Sequence, residues 1–563
     1  MTTPNDDAVL LRELGERYFR TQHTYDPWNA SLLGLTEYDP LVGDVRVEAG
    51  ERAADDLAAV RRRAESIDPV RLTPADRVDR DVLIHLAGGA ENDIRDALWA
   101  ANISAKSYVS RQGLVFQTIP IMSTENEAGR AAYLARLDGL AGLFAGLAER
   151  YREELARGRT PTRVGVRHAM DQLNGYLALP VDGDVLLGPA AGTGCYDQAR
   201  EIVRSRVRPA MARLAEALGR DILPHARPDD RAGISHVPGG REAYARAVAR
   251  HTTTDLSPEE VHQIGHDALA ELQSQWRTVG ERALGTSDFP EIVRRLRTDP
   301  ALRFSTSDEI VAVAREALER ATEALGRYYE GPAVGPCEIV EINAVEAEHA
   351  SMAYYRPPSD DGSRPGAHCL LTADPTQRFR YEYESLAFHE SVPGHHLQLS
   401  HCQQLDIPRY RRHLDVEACS FNEGWGLYSE VLAEELGLYT SDLDILGRLS
   451  FTALRACRLV VDTGMHHLGW SRERAVAFMR ENTATTESNI RNEVDRYIAW
   501  PGQALAYMVG QREILRLREA TRKRLGPRFS LPEFHRRVLE HGAVPLAVLA
   551  DNVHVWEPTP TVH

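Results

Sequence analysis

Lysine is almost missing from this 563-residue chain: Lys106 and Lys523 are the only two among 66 basic residues. Arginine therefore carries the positive charge, which reads as a coding bias rather than as chemistry. Positive charge is not in excess either; the formal net charge is −16, spread along the chain instead of gathered in an acidic tail. Nucleic acid and anionic membranes attract basic patches, so neither is expected as the main partner. The six cysteines (Cys195, Cys337, Cys369, Cys402, Cys419 and Cys457) contain no CxxC pair, and reduced, mostly buried thiols are expected. The stretch MTTPNDDAVLLREL has no basic flank leading into an apolar core, and no apolar run approaches the ~18 residues of a membrane span. A cytoplasmic protein is the expectation. Repeats of fixed period and low-complexity tracts are also lacking.

What is present is the composition of an ordinary globular protein, 43% apolar and 26% charged, in a chain long enough for two or three domains. Most of it has helical period. Helix starts are predicted at Thr73 with Pro74 and Asp76, at Ser257 with Pro258 and Glu260, and at Thr306 with Glu309. Residues 224–240, PHARPDDRAGISHVPGG, read as loop. Between about 331 and 375 the texture changes: CEIVEINAV and AHCLLTA are β-prone, and RPPSDDGSRPG between them is rich in turn residues. From Tyr381 the helical pattern returns and runs to about residue 551. The expected architecture is mainly α, with a helical region 1–330 forming one wall of a cleft, a small sheet segment 331–375, and a helical catalytic region 376–563. A sheet edge along the cleft would hold an extended peptide by main-chain hydrogen bonds.

The chemistry concentrates in FHESVPGHHLQ, residues 388–398. A hydrolytic zinc site needs three protein ligands, an open position for water and a base to take the water's proton. His389-Glu390 starts as a HExxH helix does, but Pro393 stands where the second histidine belongs. His395 and His396 follow at offsets of six and seven. Seven residues of straight helix rise roughly 10.5 Å, a long reach for two imidazoles sharing one ion, and Pro393-Gly394 disfavours a straight helix. A bulged or unwound turn would bring one of them round to the metal, with His395 preferred and His396 nearby. The third ligand is sought in EACSFNEGWGLYSEVLAEELG, where Glu423 is preferred over Glu417 and Glu430. Gly424 and Gly426 flank it with small residues that let helices approach. Trp425 and Tyr428 read as packing.

FHESVPGHHLQ, FNEGWGLYSEVLAEELG, RLVVDTGMHHLGWSRERA and EVDRYIAWPGQALAYMVG, with DGSRPGAHCLL and FHRRVLEHGAVPLAVL, closely resemble the bacterial DUF885 family. The likeness is dense from about Met352 to Val553. That family in turn is similar to the mostly helical zinc peptidases, such as thimet oligopeptidase, angiotensin-converting enzyme and the thermostable carboxypeptidases, whose pattern is HExGHxL followed by a glutamate on a later helix. Laying GHHL over GHxL implies His389, His395 and Glu423 as the ligands of one zinc ion, Glu390 as general base, and a large helical cleft fold. This chain departs from that pattern by two inserted residues. The bulged HExxGH form in dipeptidyl peptidase III implies that such an insertion is compatible with zinc binding. The relatives also place oxyanion donors on a late helix, where Tyr507, Arg496 and Gln503 are the candidates here. Arg496 could equally pair with Glu493 along its helix. Asp462 and His466, one turn apart, are candidates to orient a metal-binding imidazole or to form an interhelical contact.

The leading expectation is thus a zinc-dependent hydrolase of peptide or small amide bonds. A two-histidine, one-carboxylate set also describes a non-haem iron oxygenase, and a peptide-binding protein with a degenerate metal site is the other alternative.

Overall fold

The computed structural model describes residues 4–106, 109–342, 351–358, 365–412, 414, 416–554 and 556. The chain is mainly helical with one three-stranded sheet. The sequence-predicted helix starts are realised. Thr73 accepts from the Asp76 amide at 3.1 Å at the head of Pro74–Asp96. Ser257 and Glu260 cap Pro258–Leu284 reciprocally. Thr306 accepts from the Glu309 amide ahead of Ser307–Glu323, although the Glu309 carboxylate bonds the Ser305 amide rather than closing a box on Thr306. The stretch 224–240 is loop broken by short 3-10 turns such as Asp229–Arg231 and Ile234–His236.

Two compact units divide the chain: Met1–Ala247 with Gly464–Ala475 and Asn492–Pro501, and Val248–Thr463 with Val476–Arg491 and Gly502–His563. The core of the first is built on the helix Glu127–Ala156, which buries Tyr133, Leu137, Phe144 and Leu147. By length and composition this helix could cross a membrane, a feature that a search for unbroken apolar runs passes over. It also buries Arg136, Arg150 and Glu154. Arg136 donates to the carbonyls of Leu41 and Tyr38, and Arg150 pairs with Glu154 at 3.1 Å. Buried charges satisfied in this way mark a protein core.

The second unit holds the sheet and the His389 motif. Strand β1 (Cys337–Glu341) runs parallel to β3 (Gly366–Leu370), and β2 (Ala353–Arg356) runs antiparallel to it, in the order β1-β3-β2. CEIVEINAV and AHCLLTA thus each supply a strand. The end of the first run (343–345) and most of the turn-rich linker (359–364) lie outside the described residues. The AHCLL strand is the middle one, so its main-chain groups are engaged by β1 and β2, and the edges of the sheet are β1 and β2. Its side chains divide by the alternation of a strand. Ala367 and Cys369 join Ile342 and Leu371 in an apolar cluster, which leaves Gly366 and His368 on the opposite face.

Five helices follow that matter for the site, labelled here α1 (Tyr383–Glu390), α2 (His395–Gln403), α3 (Cys419–Glu435), α4 (Asp442–His466) and α5 (Ala506–Leu525). Helices α3 and α5 meet backbone to backbone, since a Cβ on Gly424 would lie 2.6 Å from the Gly510 main chain. That is the close approach the glycines beside Glu423 imply.

Candidate metal centre

The HESVPGHH segment is not one bulged helix but two helices with a turn between them. Helix α1 ends at Glu390, Ser391–Gly394 leave the helical path, and α2 begins at His395. Pro393 has no amide to continue the ladder, and its peptide bond to Val392 is cis. The turn is tied at both ends: the Ser391 amide donates to the Ala387 carbonyl at 2.9 Å and the His396 amide to the Ser391 carbonyl at 3.0 Å. Gly394 folds so tightly onto α1 that a Cβ there would sit 1.8 Å from the His389 carbonyl oxygen, so only glycine is accommodated. Helix α3 then clamps the turn. Trp425 Nε1 donates to the Pro393 carbonyl at 2.9 Å, and Gln398 Nε2 donates to Asn422 Oδ1 at 2.9 Å.

The clamp brings three side chains together. Glu423 Oε2 lies 3.4 Å from His389 Nε2 and 3.6 Å from His395 Nε2. The two imidazoles stand at 90° with centroids 4.8 Å apart, and the ligand atoms of all three lie within 4.8 Å of one another. Zinc bonds of 2.0–2.2 Å at tetrahedral angles separate ligand atoms by about 3.4 Å. The donor set and its spacing therefore fit a single ion.

Glu430, two turns beyond Glu423 on α3, orients the first imidazole. His389 Nδ1 donates to Glu430 Oε1 at 2.9 Å, which leaves the Nε2 lone pair for a cation. Ser385 Oγ donates to Glu430 Oε2 at 3.0 Å, and Arg455 Nη2 approaches Oε1 to 3.7 Å. Burial opposes charge on His389, but the bonds to Glu423 and Glu430 outweigh it and raise its pKa to about 9. Burial likewise opposes charge on Glu423, and the two histidines hold its carboxyl well below the usual range. The raised pKa favours the protonated imidazole at neutral pH.

His396 points elsewhere. Its Nε2 donates to the Gly335 carbonyl at 2.8 Å and its Nδ1 accepts from the Tyr355 hydroxyl at 2.9 Å, so both nitrogens are engaged in fastening the sheet to α2. Between the two adjacent histidines, geometry selects His395. Glu417 sits in the short turn Val416–Ala418 and is not part of the triad. Glu390 closes α1 directly after His389 and is 9% exposed.

The remaining candidates are placed as follows. Tyr507 lies one turn before Gly510 on α5, its ring 4.4 Å from the Arg458 guanidinium and 5.8 Å from that of Arg455. Arg455 thereby links Tyr507 to Glu430. Gln503 Nε2 donates to Cys419 Sγ at 3.3 Å, at the start of α3. Arg496 pairs with Glu493 at 3.3 Å, the helix pair weighed from the sequence. Asp462 accepts from the Gly502 amide at 3.1 Å. His466 accepts from the Ile234 amide at 3.1 Å through Nδ1 and donates to the Tyr497 carbonyl at 3.0 Å through Nε2. Of the two readings open for Asp462 and His466, the backbone engages both nitrogens of His466, and the partner of His389 Nδ1 is Glu430. Its signal was readable: seven residues after Glu423 is the same helix face. Arg455 left no comparable trace in the sequence.

Trp425 and Tyr428 are fully buried, as read from the sequence. Gly426 has a sharper role, because a Cβ there would fall 2.7 Å from His389 Nε2. Gly426→Ala is expected to tilt the imidazole and weaken zinc binding about 10–100-fold, the range for losing ligand orientation, with the fold intact. Competition against a chromophoric chelator measures it; unchanged affinity would contradict the close packing.

A family model described as "Bacterial protein of unknown function (DUF885)" matches residues 27–553. A solved structure described as the "putative lipoprotein" from Colwellia psychrerythraea superposes with a TM-score of 0.89 at 25% identity, over 98% of this chain and 99% of that one. A similarly described protein of unknown function from Shewanella oneidensis superposes with a TM-score of 0.76 at 18% identity over the same shares. No curated protein matches the chain.

Proposed function

The chain belongs to the DUF885 family of bacterial proteins, and we propose that it is a zinc-dependent hydrolase of peptide or related amide bonds, with the helical cleft fold of the zinc peptidases. The observation that carries the reading is the convergence of His389 Nε2, His395 Nε2 and one Glu423 oxygen, with Glu430 fixing the His389 tautomer. Zinc in such a site supplies Lewis acidity and a water acidic enough to attack near neutral pH. Glu390, next in sequence to His389 and at the end of the same helix, would take the proton of the attacking water and return it to the leaving nitrogen. Tyr507 is the candidate donor to the acyl oxygen. The likeness of GHHL to the peptidase pattern supports the same assignment.

Iron is the competing metal, because two histidines and a carboxylate suit it equally. A base beside the first ligand has an evident role only in hydrolysis. Metal analysis of protein purified without added metal separates the two readings. Zinc near one ion per chain is expected, whereas abundant iron with oxygen-dependent turnover would favour an oxygenase. Peptide affinity without metal or cleavage would favour a binding protein. A cytoplasmic setting fits six cysteines that form no disulfide among the described residues.

Zinc must displace the proton held at His389. With its pKa raised to about 9 in the metal-free protein, the imidazole is protonated at pH 7 and must be neutral to bind. Apparent affinity should therefore rise with pH, about tenfold per unit up to about 9 and then level. Calorimetry in buffers of different ionisation enthalpy should show about one proton released per zinc at pH 7. Affinity independent of pH between 6 and 8 would contradict the bridged arrangement.

A further inference from the structure

One buried side chain beside the metal centre has no task in the chemistry described so far. His368 lies at the middle of β3 and is fully buried, yet neither Nδ1 nor Nε2 has a hydrogen-bond partner among the described residues. Buried polar groups are ordinarily paired, and an unpaired one is a standing cost to the fold. Its direction follows from the register. His368 is directly opposite Tyr355 on β2, so the two side chains share a face, and the Tyr355 hydroxyl reaches His396 Nδ1 at 2.9 Å. Gly366, two residues earlier on that face, would place a Cβ 2.8 Å from the same nitrogen. The face carrying His368 therefore looks at the start of α2, where the ligand His395 precedes His396. The His368 imidazole also lies near enough to His389 to feel its charge, and burial first, then that charge, lower its pKa to about 3. It is not itself one of the clustered ligand atoms.

We propose that His368 is a substrate-binding residue that donates an N–H hydrogen bond to the carbonyl oxygen of an amide occupying the His389–His395–Glu423 site. A neutral imidazole suits this ligand class. It offers one donor and one acceptor, and it places no charge opposite a neutral amide. The N–H donates to the acyl oxygen when substrate or product is present, and the other ring nitrogen remains an acceptor. This assignment rests on the metal-site reading and names the group that orients the acyl end of the substrate there.

The test uses cobalt-loaded full-length protein and acetohydroxamate, a small acyl probe, followed by the visible cobalt spectrum. His368→Phe keeps a buried aromatic ring and removes both nitrogens; His368→Gln returns a donor. The Phe variant should bind cobalt as the parent does, melt no lower in the metal-free state, and bind acetohydroxamate at least tenfold more weakly, with partial recovery in the Gln variant. Equal probe affinity in parent and Phe variant, with cobalt bound in both, would overturn the role of His368 alone. No cobalt binding by the parent would overturn the metal site, and this assignment with it.

Discussion

Glu390→Gln is expected to bind one zinc ion per chain as the parent does and to lose about 10⁴-fold in turnover, the upper range for removing a positioned general base. Both halves of the expectation have a structural reason. Glu390 is not among the three clustered ligand atoms, so its charge is not needed to hold the ion. The amide of glutamine fills the same space at the end of α1, and the fold should persist. Glutamine cannot accept and return a proton, so the attacking water keeps its own and the amine leaves unprotonated. Metal analysis together with hydrolysis of a peptide panel checks both halves. Parent-like turnover on any substrate the parent cleaves would rule out this mechanism, and zinc loss would mean that Glu390 is a ligand.

Glu423→Gln should show the second large effect. Zinc sites with full protein ligation are worth on the order of 10 kcal/mol. Removing one of three ligands is then expected to cost about 3 kcal/mol, roughly a hundredfold in apparent affinity. The carboxylate is also the group shared by both imidazoles, at 3.4 and 3.6 Å, so its loss disconnects the two histidines. Because zinc binds only the folded site, the parent should gain thermal stability on zinc addition by mass action, and Glu423→Gln should gain little at the same concentration. Glu417→Gln is the control and should behave as the parent. Equal zinc stabilisation of the Glu423 variant and the parent would remove Glu423 from the site.

How far the site was legible in the sequence depends on how local each contact is. His389, Glu390 and the proline-glycine break are contiguous, and the need for a turn between 390 and 395 follows from the geometry of a helix alone. Glu423 was reachable because small residues flank it and the packing demand is written beside it, in Gly424 and Gly426. The capping residues were equally local, which is why Thr73, Ser257 and Thr306 were found with their helices. The choice between His395 and His396 was not, since it turns on Tyr355 and the Gly335 carbonyl claiming the second ring. The strand Ala353–Arg356 has two β-prone tyrosines but only four residues, too short a run to read alone, and it is defined by pairing with Gly366–Leu370. The order β1-β3-β2, which puts AHCLL in the middle, is likewise a tertiary fact. Asp462 and His466 left two readings open for the same reason, because a one-turn spacing shows that two side chains are neighbours but not what else claims them.

The most direct test of the central claim is anomalous scattering at the zinc edge from crystals of the protein grown with zinc. The expected result is one strong peak per chain, within about 2.0–2.2 Å of Nε2 of His389, Nε2 of His395 and a carboxylate oxygen of Glu423. A peak centred on His396, or none near α1 and α3 with zinc bound elsewhere, would contradict it.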